Sequence, residues 1–367
     1  MKIGAQRPLV FFLGVLPPPV HGFSKINGLM LNRISLKSEV VTFCRKKYIG
    51  KSKWSAYILN GSSILLDLFR FFYLSLVKSP SFFYLGLSGG KGQLVNFLFI
   101  VLARIKSLKI VIHHHSYAYV NAYSRLTSIL MFFAGPKSMH VVLCSHMGSG
   151  LRQTYGLSDD QIVVVSNAAF SGITGDPGLI KKSFDGSPVL GFLSNITAEK
   201  GIFDFFSVVE GLQLTETSVT AMVAGPLSTD IATEFHRRLA RLPSVSYVGP
   251  VYGDDKALFF EKIDILLFPT QYKNEAEPVT ILEALEVGVP VIAASRGCIG
   301  SMLAGSGGVA VPSENFVVSA IEYVRRVSVD KVEYARASEA ARLRWEEMHG
   351  EALRRTDDLL ISLGVER

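Results

Sequence analysis

The chain has 367 residues, 49% hydrophobic and 19% charged, which suffices for two domains with separate cores and excludes an extended disordered protein. Its formal charge of +7 is unevenly divided: residues 1–167 carry 19 Lys/Arg against 4 Asp/Glu, whereas the remaining 200 carry 19 against 27. No nucleic-acid motif accompanies the basic half, so it points to an anionic membrane surface or an anionic substrate.

The apolar run at residues 9–16 is short and enters Pro17-Pro18-Pro19 without a small-residue cleavage site, so it reads as a first strand and not as a secretory signal. In the loop at residues 16–28, Gly22 stands where a helix opens. It either lets backbone approach a ligand phosphate or serves as a turn residue in a Pro-rich loop. Strands are expected at 38–44, 82–87, 109–113, 141–144 and 161–169, with helices at 24–34, 60–77, 93–106 and 124–133. This alternation predicts a doubly wound parallel sheet. The stretch 57–77 comes nearest to a membrane span, but Asn60, Gly61, Asp67 and Arg70 interrupt it. His113, His114 and His115 close a strand; successive residues there point to opposite sides, so the three should not share one metal. Cys44, Cys144 and Cys298 lack metal-ligand spacing and read as buried thiols of a reducing compartment.

Residues 171–187, rich in Gly, Asp and Lys, read as a linker. A second strand-helix run follows, with strands expected at 189–195, 219–225, 245–251, 264–270 and 289–295, and a helix at 331–363. Residues 274–290, NEAEPVTILEALEVGVP, separate Glu275 from Glu283 by seven residues across a loop-to-helix junction, and Gly288 and Pro290 stop the helix. Free N–H groups at a helix start beside a carboxylate suit a phosphate bearing a sugar. Asp254-Asp255 reads as a helix start.

That segment resembles the donor-binding motif of the retaining nucleotide-sugar glycosyltransferases of GT-B architecture, in their family four (glycosyl transferases group 1). Their pattern is Glu, seven residues, Glu, a helix ending in Gly-x-Pro, and a strand. The resemblance implies an α/β chain of two Rossmann-like domains facing each other across a cleft. Residues 1–170 would form the acceptor domain and 171–349 the donor domain, with a terminal helix at about 350–367 crossing back to the first. Glu275 would contact the transferred sugar, Glu283 the ribose hydroxyls, and backbone at Pro278, Val279 and Thr280 the diphosphate. Pro278 has no N–H, so Val279 and Thr280 are the better donors. In LSNITAEKGI, residues 193–202, Lys200 and Gly201 match the family's Lys-Gly, which binds diphosphate, but Asn195 occupies the place of its arginine. Gly22 stands alone where the family usually has two adjacent glycines. His115 fits a family histidine beside the sugar, with His113 as substitute.

The implied chemistry is retaining, metal-independent transfer without a cofactor, the nucleotide diphosphate sugar being the donor substrate. The leaving diphosphate takes the acceptor proton, so no protein nucleophile is required. The acceptor would be a glycan, lipid-linked, in cell-surface polysaccharide synthesis, and the enzyme cytoplasmic and peripheral at the inner face of an anionic membrane, with no nucleic acid among its partners. The alternatives are an inert scaffold, or an epimerase or phosphorylase on the same fold. A nicotinamide-dependent oxidoreductase is disfavoured because no G-x-G-x-x-G follows the first strand.

Overall fold

A computed structural model describes residues 7–18, 22–44, 53–172 and 187–365. The chain divides into two units, Met1–Phe170 with Ala352–Arg367, and Ser171–Glu351.

The first unit comprises β1 (Leu9–Gly14), α1 (Gly22–Ser35), β2 (Glu39–Cys44), α2 (Lys53–Val77), β3 (Phe82–Leu87), α3 (Gln93–Ile105), β4 (Ile110–His114), α4 (Ala118–Asn121), α5 (Arg125–Ala134), β5 (Met139–Val142), α6 (Ser145–Tyr155) and β6 (Ile162–Val164). Its six strands are parallel, in the order β2-β1-β3-β4-β5-β6. Continuous apolar strands such as LVFFLG and FFYLGL fit a sheet buried on both faces. Side-chain alternation divides them cleanly. Val10, Phe12, Phe82 and Tyr84 pack with Met30 and Ile34 of α1. On the other face Phe71 of α2 meets Phe11, Phe43 and Phe83, each at 5.1 Å between centroids, and Phe99 of α3 at 5.5 Å. Gly14 and Gly86 end neighbouring strands against the Asn27 side chain of α1, whose amide donates to Val15 O at 3.1 Å. A Cβ on Gly86 would lie 2.4 Å from Asn27 Oδ1, so the residue type fixes this packing.

The second unit comprises β7 (Val189–Leu193), α7 (Ile202–Leu214), β8 (Thr220–Ala224), α8 (Ala232–Leu239), β9 (Val245–Tyr247), α9 (Asp254–Lys262), β10 (Ile265–Phe268), α10 (Val279–Glu286), β11 (Val291–Ala294), α11 (Ile299–Leu303), β12 (Val309–Val311) and α12 (Phe316–Val329). Its parallel order is β12-β11-β10-β7-β8-β9. Connections therefore run one way from β7 through β8 to β9, then return to β10 on the other side. Ligands of open α/β sheets bind outside the carboxyl ends of the strands at such a reversal. The terminal helix α13 (Lys331–Ser362) starts in the second unit, where Tyr334 joins the core. Its end belongs to the first, where Leu359, Leu360, Leu363 and Val365 pack with Val10 and Phe12.

Several boundaries differ from the sequence expectation. The strand expected at 161–169 ends at Val164, because Ser166 Oγ accepts from the Ala168 amide at 3.0 Å and a 3₁₀ turn, Asn167–Phe170, follows. β5 lies two residues early because Cys144 serves as the N-cap of α6, a helix not anticipated. β9 stops after three residues, ahead of Gly249 with φ +77°. β12, three residues between Gly307-Gly308 and Pro312, is not anticipated from the sequence. Cys144 at the N-cap of α6 and Cys298 at the N-cap of α11 are both buried.

Phe71→Ala should destabilise the first unit by about 3–5 kcal/mol, since it empties the centre of a five-ring cluster. Urea unfolding followed by tyrosine fluorescence would measure it; a loss under 1 kcal/mol would show that the rings close over the gap.

Candidate functional site

At the reversal in the second sheet, the loops after β7 and β10 bring together two residues 75 apart in sequence. Lys200 Nζ donates to Glu275 Oε2 at 2.5 Å, with little of either side chain exposed. Thr270 Oγ1 donates to the same carboxylate oxygen at 3.0 Å, and the Lys200 ammonium lies 4.6 Å from the Tyr272 ring centroid. The Tyr272 amide donates to Thr270 Oγ1 at 3.3 Å, and Asn274 Nδ2 to Tyr272 Oη at 2.8 Å. The turn carrying Lys200 is equally fixed. Thr197 caps it through the Lys200 amide at 3.2 Å, and Gly201 follows with φ +81°. A Cβ on Gly201 would stand 2.1 Å from Pro269 O, so only glycine lets the β7 loop lie against the β10 loop. Gln271 N donating to Glu199 O at 2.7 Å ties the same two loops.

Helix α10 begins directly after that loop, with Pro278 as its N-cap; the Pro278 carbonyl accepts from Ile281 N at 3.1 Å. The first-turn amides of Val279 and Thr280 have no intrahelical acceptor and are available to an anion. Glu283 lies one turn further on, buried, and pairs with Lys256 of α9 through Oε2. Sequence reading passed over Lys256: it lies in no motif, and only the packing of α9 beside α10 brings it to the carboxylate. Asp254 and Asp255 occupy the first turn of α9, as expected for a helix start.

Arg296 was also overlooked. The turn after β11 is locked on the acidic loop, with Cys298 N donating to Ala276 O at 2.8 Å, and a Cβ on Gly297 would lie 2.5 Å from Glu275 O. Arg296 Nε is buried there without a hydrogen-bond partner among the described residues. Asn195, in contrast, is exposed. No group of three or more His, Cys, Asp or Glu suited to a metal ion occurs among the described residues.

In the first unit the three histidines alternate as the strand requires. His113 and His115 share one side, their ring centroids 4.0 Å apart, with Phe23 of α1 5.0 Å from His115. Tyr84 Oη is 2.5 Å from His113 Nδ1, and Nε2 of both His113 and His115 is buried without a hydrogen-bond partner among the described residues. His114 points the other way, into a run of polar groups. Ser138 Oγ donates to Gly135 O at 2.6 Å, so it accepts from His140 Nε2 at 3.0 Å. His140 Nδ1 then accepts from His114 Nε2 at 3.0 Å, and His114 Nδ1 accepts from Tyr119 Oη at 3.0 Å. Each hydrogen bond in this run fixes the direction of the next, and every imidazole in it is neutral. Burial lowers the pKa of His115 to about 3 and of His140 to about 4, against an ordinary value of 6.5. It also holds His113 and His114 well below that value, with neighbouring histidines adding to the effect. His115 is thus a neutral hydrogen-bonding group. Gly22 opens α1, exposed, and a Cβ there would meet nothing within 4 Å. The preceding His21 lies outside the described residues.

Residues 180–344 match the family described as glycosyl transferases group 1. Among solved structures, the chain is similar to HepE from Anabaena in complex with UDP and glucose, with 15% identity, TM-score 0.69, and 97% of this chain and 100% of that one covered. A sucrose-phosphate synthase from Thermosynechococcus elongatus gives 13% identity and a TM-score of 0.71, over 97% and 99% of the two chains. WaaG, a glycosyltransferase involved in lipopolysaccharide biosynthesis, gives 13% and 0.65, over 95% and 98%. At such identities the likeness establishes the two-domain GT-B fold. No curated protein matches the chain.

Two predictions follow from these geometries. Gly201→Ala should prevent the β7 and β10 loops from meeting and lower the urea midpoint of the second unit; an unchanged midpoint would mean that the turn adapts. Histidines buried neutral bind protons only when unfolded, so their stabilisation is complete above about pH 6.5 and declines as pH falls towards 4 and below. Urea midpoints measured between pH 7.5 and 4.5 should fall accordingly, and His140→Phe should flatten part of that slope.

Proposed function

We propose, from the membership of residues 180–344 in glycosyl transferases group 1, that this protein transfers a sugar from a nucleotide diphosphate donor to a glycan acceptor with retention at the anomeric carbon. The observation that carries the reading is the Lys200–Glu275 pair, set at the sheet reversal one loop ahead of the open first turn of α10. In this assignment Glu275 orients the sugar through its hydroxyls, and Val279 and Thr280 amides bind the diphosphate. Lys200 neutralises charge on the leaving group. Glu283, its charge balanced by Lys256, accepts from the ribose hydroxyls. Arg296 supplies the second cation that Asn195 cannot. His113 and His115 offer neutral hydrogen bonds to substrate in the first unit.

The bond between the anomeric carbon and the diphosphate oxygen breaks as the acceptor oxygen bonds to the same face. The acceptor proton passes to the departing phosphate oxygen, so the step balances without a protein base or a metal ion. Because HepE is described with UDP and glucose, UDP-sugars are the first donors to test here. The acceptor is a lipid-linked glycan in cell-surface polysaccharide synthesis, and the enzyme works peripherally at the inner face of an anionic membrane. Among the described residues, no helix is long and apolar enough to cross a membrane.

Nucleotide diphosphate release from a panel of nucleotide sugars should require a glycan acceptor, and NMR of the product should show the donor's anomeric configuration. Glu275→Ala and Lys200→Ala should each lower kcat by about 10²-fold or more. Release without acceptor, an inverted product, or full activity in both variants would refute the assignment.

A further inference from the structure

We infer that the outer face of α2, α3 and α5 is a surface that lies on an anionic lipid bilayer, which rests on the peripheral-membrane part of the proposed function and names the surface responsible. The three helices form one layer on one face of the first sheet. Phe71 of α2 meets Phe99 of α3, and Phe97 of α3 meets Phe133 of α5 edge-on at 5.1 Å. Thr127 Oγ1 of α5 donates to Gln93 Oε1 of α3 at 2.9 Å. Their inward sides fill the core, so their outward sides look away from the sheet together.

Those outward sides are apolar. Phe69 (72% exposed) and Tyr73 lie four residues apart on one stripe of α2, continued by Leu94 and Leu98 of α3 and by Ile129 and Phe132 (80%) of α5. A run of large exposed side chains over three adjacent helices exceeds the scattered apolar surface of ordinary soluble domains. Charge selects the occupant. From residue 53 to residue 138 the sequence has nine Lys/Arg and one acid, Asp67. Four of the basic residues sit at the ends of these helices and are exposed: Lys91 ahead of α3, Arg104 in its last turn, Arg125 opening α5 and Lys137 beyond it. A protein partner would need a matching acidic rim around an apolar centre. A bilayer with anionic headgroups over hydrocarbon supplies both layers, each basic contact contributing about 1 kcal/mol. Tyr73, with an apolar ring and a polar tip, suits the headgroup boundary, and Phe69 and Phe132 suit the acyl edge beneath it.

Co-sedimentation of the full chain with vesicles of phosphatidylcholine, with and without 30% (roughly, by lipid) phosphatidylglycerol, tests this. The wild type should bind the anionic vesicles and be released as salt rises. The paired substitution Phe69→Ser with Phe132→Ser should weaken binding about 10-fold or more, as should Arg125→Glu with Lys137→Glu. Both lie outside the proposed donor site, so nucleotide-induced thermal stabilisation and turnover of a soluble acceptor should be unchanged. Wild-type levels of vesicle binding in both pairs would overturn the assignment of this face while leaving peripheral attachment standing. Absence of binding by the wild type would overturn both. A dimer seen by ultracentrifugation and lost in Phe69→Ser with Phe132→Ser, with no lipid binding, would assign the face to a second copy instead. Loss of nucleotide stabilisation in the wild type would count against the transferase reading alone.

Discussion

The ion pair between Lys200 and Glu275 is the contact around which the second unit is arranged, and it rests on a single backbone requirement. Gly201 must take a positive φ and must lack a Cβ, because the Pro269 carbonyl fills that space. Once the two loops touch, the lysine and the carboxylate have no other place to go. Stability does not account for keeping them there. An ion pair so little exposed loses much of its Coulombic gain to desolvation, and apolar residues of similar size would often serve the fold as well. Under the proposed function the pair has a use: its ammonium and carboxylate, largely removed from water, would meet the phosphate and hydroxyls of the donor.

The two sheets share a construction but give it different content. In the second, the strand order reverses between β7 and β10, and the charged residues collect at that reversal. In the first, the order reverses between β1 and β3, and there the space is filled by Asn27 packed against Gly14 and Gly86. Its polar content lies beside that point, at the end of β4, in histidines whose neutrality is enforced twice. Burial disfavours the cation, and in the hydrogen bonds running from Tyr119 to Gly135 each imidazole uses one nitrogen as donor and the other as acceptor, the neutral form. His113 and His115 stand apart from this run, and among the described residues their Nε2 atoms have no hydrogen-bond partner. The first unit is thereby specialised for neutral contacts inside and positive charge outside, whereas the second concentrates its charge within a site.

Much of this could be read from the chain. Apolar strands alternating with helices fixed the α/β class, because strands covered on both sides must be hydrophobic throughout. The spacing of Glu275 and Glu283, with Gly288 and Pro290 after them, identified a loop-helix unit whose geometry is local: capping and helix termination depend on neighbouring residues. Lys200-Gly201 could be recognised for the same reason. Strand ends were less legible, since Ser166 and Cys144 turn the chain by hydrogen bonds and caps that hydrophobic patterning does not register.

What tertiary structure alone decided was partnership. Lys256 carries no motif, yet it neutralises Glu283. Arg296 sits in an ordinary turn, yet Gly297 presses that turn against the backbone of Glu275. Similarly, the apolar stripes of α2, α3 and α5 each resemble core in sequence, and only the layer they form shows which side remains uncovered. The physical reason is the same throughout: propensity, capping and periodicity act over a few residues, whereas ion pairs and exposed faces arise from strand order, which joins residues far apart in the chain.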